Sequence, residues 1–271
     1  MQQASGGSLG MPSAAGMTDT GVVETLTRAQ RDSLRDRGYL LLPGVIPKAR
    51  HEAALRAINA SLGRGLRPED VPRFRARSFC PDLQKDDVIL DLFRDTAASR
   101  TAKSLVGSDG LDRVTTGQIA LSFPGDDAPT KPPHPHIDGL YTPDNGVPAG
   151  SVLSFTMLAG IVLSDVTTPD AGNLVVWPGS HRVLEDHFRA RGPKSLLAGM
   201  PDVDLGRPEP VLARAGDVVL CHYQLAHAAG PNTSPHVRYA VYFRLKRKGH
   251  DRWKWECLTD VWREWPGLSA P

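Results

Sequence analysis

The polar and apolar positions divide the chain into two halves of different character. Residues 26–37, LTRAQRDSLRDR, read as an amphipathic helix, with Thr27 placed to cap its start and Gly38 to stop it. YLLLPG at 39–44 reads as a short apolar strand closed by a turn. Residues 47–62 predict a second helix, with Pro47 suited to its first turn. Residues 64–85 are rich in Arg and Pro, show no clear period and predict an extended loop; 86–106 predict helix again. From about residue 114, short β-branched and aromatic segments alternate with Pro/Gly/Asp turns. Candidate strands are 114–123, 134–138, 152–165, 173–177, 217–222 and 237–246. Many short strands suggest a sandwich or barrel, and helices followed by strands suggest an α+β fold, mainly β, with helices packed on one sheet. The tail carries four of the five tryptophans, too much aromatic area to leave in water, so it is expected to pack back on the domain.

Composition narrows the class without naming a function. The 271 residues suffice for one large or two small domains, and 40% hydrophobic content supports a core. A net charge of +2 argues against nucleic acid as a partner. No apolar run reaches the ~18 residues of a membrane span. Residues 1–20 read as a disordered leader without a signal-peptide pattern, with Met17 as an alternative start, followed by a single domain over 21–271. Cys80, Cys221 and Cys257 are too few and scattered for a disulfide framework or a cysteine-based zinc site, so a cytoplasmic, reduced protein is expected. Oligomeric state is not readable.

The chemistry concentrates at HPHIDGLYTPDNG, from His134. In a strand, positions two apart share a face, so His136 and Asp138 can lean onto one ion, with His134 one step behind. The same spacing also fits a solvated strand end. Farther on, LCHYQLAHAAGPN adds His222 and His227. HVRYAVYFRL then alternates cleanly: Arg238, Ala240, Tyr242 and Arg244 on one face, Tyr239, Val241, Phe243 and Leu245 on the other. An arginine on the small-residue face of a central strand is costly unless it meets an anion, which a carboxylate clamp would supply. For Arg244, at the strand end, a rim position reaching water is the preferred reading. In PGSHR, Ser180 is expected to cap a helix and His181 to lie in its first turn; His51, His187, His236 and His250 read as surface residues.

His136-x-Asp138, distal His227 and Arg238 eleven residues later resemble the iron(II)/2-oxoglutarate dioxygenases, in particular the phytanoyl-CoA dioxygenase-like branch. The resemblance extends over LTRAQRDSLRDRGYLLLPGVIP, LSDVTTPDAGNLVVWPGSHR and GDVVLCHYQLAHAAGPNTSPHVRYAVYF, which is most of the chain. It implies a double-stranded β-helix (jelly roll) with flanking helices and an iron site of two histidines and one carboxylate, which leaves one face of the ion open. Carried over by position, His136, Asp138 and His227 are the catalytic metal ligands, and Arg238 grips the distal carboxylate of 2-oxoglutarate. The family pattern favours His136 over His134, and the offset to Arg238 favours His227 over His222. Gln118 and Thr156, on strands of suitable phase, are further candidates for 2-oxoglutarate contacts. Related halogenases replace the carboxylate with a small residue; Asp138 is present, so hydroxylation or another oxidation is expected.

The resemblance implies iron(II), 2-oxoglutarate and O2, with ascorbate as a supporting reductant, and release of succinate and CO2. The expected substrate is a small metabolite or natural-product intermediate. Segments 64–85 and 139–150 and the Trp-rich tail could form a lid, Arg73, Arg75 and Arg77 could meet an anionic substrate, and Tyr141 and Trp177 could wall a pocket or lie in the core. The rival readings are a non-catalytic small-molecule-binding jelly roll and a cupin-like metal-dependent isomerase or zinc hydrolase; neither requires the Arg238 clamp.

Overall fold

A computed structural model of the protein describes residues 26–107, 109–125 and 133–268, so the expected leader over 1–20 lies outside the described residues. Helix α1 (Arg28–Arg37) begins at a reciprocal cap: Thr27 Oγ1 accepts from Gln30 N–H, and Gln30 Oε1 accepts from Thr27 N–H. It stops at Gly38, whose φ of 78° is a left-handed conformation open to glycine. Strand β1 (Tyr39–Leu42) follows, then α2 (Lys48–Leu62).

The expected extended loop over 64–85 contains α3 (Val71–Ala76). Six residues are too few to show a period: Val71 and Phe74 pack on the core, and Asp70 pairs with Arg67 and Arg73 at helical spacing. The helical stretch 86–106 is split into α4 (Asp87–Leu90) and α5 (Ala97–Val106). Between them Asp95 takes a φ of 55°, and Asp86 and Thr96 each cap a separate start.

The second half forms two antiparallel sheets. Its strands are β2 (Gln118–Ser122), β3 (Met157–Val162), β4 (Leu174–Val176), β5 (Glu209–Pro210), β6 (Val218–His222), β7 (His227–Ala229) and β8 (Arg238–Leu245). The large sheet has the order β1-β6-β3-β8-β2 and the small one β5-β4-β7. Helix α6 (Ser180–Arg191) lies between β4 and β5 in the chain, and α7 (His250–Trp253) opens the tail. The expected strand at 134–138 is reduced to a single bridge at His136. Prolines at 133 and 135 lack the N–H groups that a ladder needs.

Alternation gives the large sheet two buried faces. Met157, Ala159, Ile161, Val218, Leu220, Val241, Phe243 and Leu245 pack against Leu34, Ile58, Leu92 and Leu105 from the helical half. Leu158, Val219 and Cys221 instead join Val175, Val176 and Ala228 of the small sheet. Phe243 is fully buried, and burial of this kind contributes roughly 1.5–3 kcal/mol per large side chain. The architecture is a jelly roll with helices covering one sheet; the strand pattern predicts a sandwich or barrel, and the resemblance implies the jelly roll.

The tail packs back on the domain as expected, with Leu258, Val261, Trp265 and Leu268 buried. His250 is not a surface residue. It is buried, with Nδ1 2.7 Å from Glu264 Oε2 and Nε2 2.9 Å from Ser154 Oγ, tying the tail to the segment before β3. Its burial depends on where the tail returns, which local sequence does not encode. Trp177 lies in the core, whereas Tyr141 is exposed.

Candidate active site

His136 and His227 face each other across an isolated antiparallel bridge, the backbone N–H of each donating to the other's carbonyl at 3.0 and 2.9 Å. Their rings lie 4.7 Å apart, centroid to centroid. Asp138 Oδ1 is 3.7 Å from Nε2 of both histidines. One donor atom from each of the three residues therefore falls within 4.8 Å of the others, a spacing one metal ion can span. His134 and His222 do not belong to this group.

Local sequence sets each of these side chains. His227 Nδ1 contacts the Leu225 carbonyl at 2.9 Å, which leaves Nε2 for the centre of the site. Beyond Asp138 the chain turns at Gly139, with φ at 81°. A Cβ there would lie 2.3 Å from the Leu153 carbonyl oxygen, so glycine is required for the turn that aims the carboxylate. Tyr223 donates its phenol O–H to the Asp138 carbonyl at 3.2 Å. Arg244 directs Nε and Nη2 at Asp138 Oδ2, at 3.0 and 2.8 Å.

The charges suit cation binding. Burial pushes the Asp138 carboxyl up, but Arg244 and the two histidines outweigh it and hold it well below the usual carboxylate range. Desolvation first and the neighbouring His227 second pull His136 down to about 4. Burial opposes protonation of His227, yet the Asp138 carboxylate prevails and raises it. The His227 shift is that of an imidazole beside a carboxylate; a bound divalent cation would take the place of that proton.

Arg238 lies deeper. It is 7% exposed, with Nε donating to the Gly172 carbonyl at 2.7 Å and Nη1 to the Ala120 carbonyl at 3.0 Å. It lines a cavity between the sheets together with Gly160, Val219, Ala240 and Tyr242. A Cβ on Gly160 would lie 2.7 Å from the Tyr242 ring, and one on Gly172 would lie 3.0 Å from the Arg238 Cβ, so both glycines make room on this side. Tyr242 stands on the same face of β8 between Arg238 and Arg244, and burial raises its phenol.

Gln118 pairs with Tyr242 across β2 and β8, and so shares the face that carries Arg238. Thr156 is placed differently. Its hydroxyl donates to Glu264 Oε2 at 2.7 Å and accepts from Arg247 N–H at 2.8 Å, so it serves the tail anchor and not the cavity. Ser180 is the first residue of α6, not its cap; its Oγ accepts from Ala226 N–H at 2.9 Å and secures the approach to His227. His181 and His222 are buried and structural, contacting the Arg35 and Val261 carbonyls respectively. Tyr223, Tyr242, Gly160 and Gly172 have no signal in local sequence, apart from the inward phase of Tyr242 on β8. Of the possible lid segments, 64–85 and 139–150 meet where Arg77 Nε donates to the Asp144 carbonyl at 2.7 Å.

A family model described as phytanoyl-CoA dioxygenase (PhyH) matches residues 34–240. No curated protein matches the chain. Among solved structures, the fold is similar to that of SnoK, described as a non-heme alpha-ketoglutarate-dependent carbocyclase from nogalamycin biosynthesis. The identity is 24%, the TM-score 0.56, and the match covers 85% of this chain and 87% of that one. It is also similar to HygX from Streptomyces hygroscopicus, solved with nickel, 2-oxoglutarate and hygromycin B bound. There the identity is 20%, the TM-score 0.51, and the coverage 83% and 88%.

Proposed function

The chain belongs to the phytanoyl-CoA dioxygenase family, and from that premise we propose that it is an iron(II)- and 2-oxoglutarate-dependent oxygenase of a small metabolite or natural-product intermediate. The observation that carries this reading is the convergence of Asp138 Oδ1 on Nε2 of both His136 and His227. Two imidazoles and one carboxylate are a donor set for iron(II) with open positions, so the residues fit the ion. His136, Asp138 and His227 would hold it. When bound, the iron supplies the activation of O2, coupled to conversion of 2-oxoglutarate to succinate and CO2.

The chain's own residues do the rest. Arg238 is a buried cation on the cavity wall and would hold the distal carboxylate of 2-oxoglutarate; Gln118, on the same face, is a second polar contact for it. Tyr242 lines the same cavity as Arg238 and would wall the co-substrate beside it. The apolar lining formed by Val219, Leu174 and Val162 would limit bulk water around the co-substrate in that cavity. Ascorbate would support turnover by keeping iron reduced. The small-molecule substrate class follows what the names of SnoK and HygX say of those proteins. A cytoplasmic location accords with three free cysteines.

Anaerobic titration tests the reading. Adding iron(II) and 2-oxoglutarate should produce a weak visible charge-transfer band, and admitting O2 should release succinate. A protein that binds neither, or that shows the same band after Asp138→Ala, would return the fold to a non-catalytic binding role.

A further inference from the structure

Arg244 and Asp138 are joined in an unusual way. An arginine fork commonly spreads over both oxygens of a carboxylate. Here Nε and Nη2 both converge on Oδ2, at 3.0 and 2.8 Å. The other oxygen, Oδ1, is the one lying 3.7 Å from each histidine Nε2. The carboxylate is thus divided: one oxygen faces the guanidinium, the other the histidines. Arg244 is itself held. It projects from β8 at the position paired with Leu158, and its guanidinium lies 5.9 Å from the Phe155 ring centroid, though its side chain is 39% exposed.

We propose that Arg244 is a positioning residue for the metal: it fixes the rotation of the Asp138 carboxylate, presents Oδ1 alone, and keeps that ligand from chelating through both oxygens. This rests on the reading of His136, Asp138 and His227 as the metal triad. The consequence is specific to a site that must bind two atoms of a co-substrate and then O2. A bidentate aspartate would take one of the positions that those groups need. The strand phase links the two arginines. β8 carries Arg238, Ala240, Tyr242 and Arg244 on one face, so the strand that would clamp the far end of the co-substrate also sets the carboxylate beside its near end.

Positioning and simple charge predict opposite results. An arginine acting only as a charge would repel a divalent cation, so its removal would tighten metal binding. An arginine that orients a ligand would, on removal, loosen binding by about 10- to 100-fold, as other partners of metal ligands do.

The test uses the full-length metal-free protein and cobalt(II) or anaerobic iron(II), with affinity read by calorimetry and cobalt coordination by its visible spectrum. Arg244→Met keeps an apolar stem against Phe155, which protects folding; Arg244→Lys keeps the charge without the fork. Thermal unfolding of each metal-free variant is measured alongside. Both variants should bind cobalt about 10- to 100-fold more weakly than the parent, with a cobalt spectrum shifted by the altered carboxylate. Unchanged or tighter binding by Arg244→Met, or parental affinity and spectrum in Arg244→Lys, would overturn the role of Arg244. Failure of the parent to bind either metal, or parental affinity in Asp138→Ala, would instead overturn the triad reading itself.

Discussion

His136 and His227 exchange a pair of backbone hydrogen bonds, so the two imidazoles are brought together by main chain and not by the ion they are proposed to share. Main-chain pairing of this kind would fix the spacing of the two rings independently of an ion. That reduces the ordering cost on binding and makes the site sensitive to small backbone changes.

Asp138→Ala removes the only carboxylate of the triad and leaves Arg244 without its partner. Metal affinity should fall by more than the roughly 10- to 100-fold typical of a change outside the ligand set, and succinate release should vanish. Calorimetry with cobalt(II) and a coupled succinate assay check both.

Arg238→Ala should raise the KM for 2-oxoglutarate by about 10- to 100-fold, because charge-assisted hydrogen bonds contribute about 1.5–3 kcal/mol. Metal affinity without co-substrate should change little. An unaltered KM would move the clamp elsewhere. Arg238→Lys should recover only part of the loss, since an ammonium lacks the planar fork.

Gly139→Ala forces a Cβ to within 2.3 Å of the Leu153 carbonyl oxygen at a φ of 81°. The turn after Asp138 must shift, at a cost of about 1–3 kcal/mol for the backbone alone. Both the unfolding midpoint and metal affinity should drop. Full retention of metal affinity would show that the turn does not aim the carboxylate.

Burial first and His181 second hold His222 down at about 3, and burial holds His181 at about 4. Both folded values lie below the unfolded value near 6.5, so the unfolded state binds more protons between them. The stability from neutral histidines is complete above pH ~6.5 and is lost as pH falls toward 3–4. From pH 7 to pH 5 the loss should be about 2 kcal/mol for each histidine, measurable by urea unfolding. His222→Gln should flatten that slope by one proton's worth; an unchanged slope would show that His222 does not carry it.

Much of the fold is legible in the sequence because its signals are local. Thr27 and Gly38 bound α1 through contacts within one turn of chain, and the alternation of 238–245 assigns each β8 side chain a face before any neighbour is known. Helix α3 escapes detection because it is too short for a period: Val71 and Phe74 alone turn toward the core, among exposed Arg–Asp pairs. The strand expected at 134–138 shrinks to one bridge because two prolines remove ladder donors. Thr156 has the phase of a cavity residue, but Glu264, supplied by the returning tail, captures its hydroxyl.

By itself, the chain determined which residue types were available for chemistry, His136, Asp138, His227 and Arg238 with their spacing, and which face of β8 Arg238 would take. Only the tertiary structure decided their partners. It set Arg244 on Asp138, Tyr242 beside Arg238 on one cavity wall, and His250 in a buried contact with Glu264. The reason is physical. Periodicity, capping and turn chemistry act over a few residues, whereas a hydrogen bond between distant segments exists only once the sheets and the tail have docked.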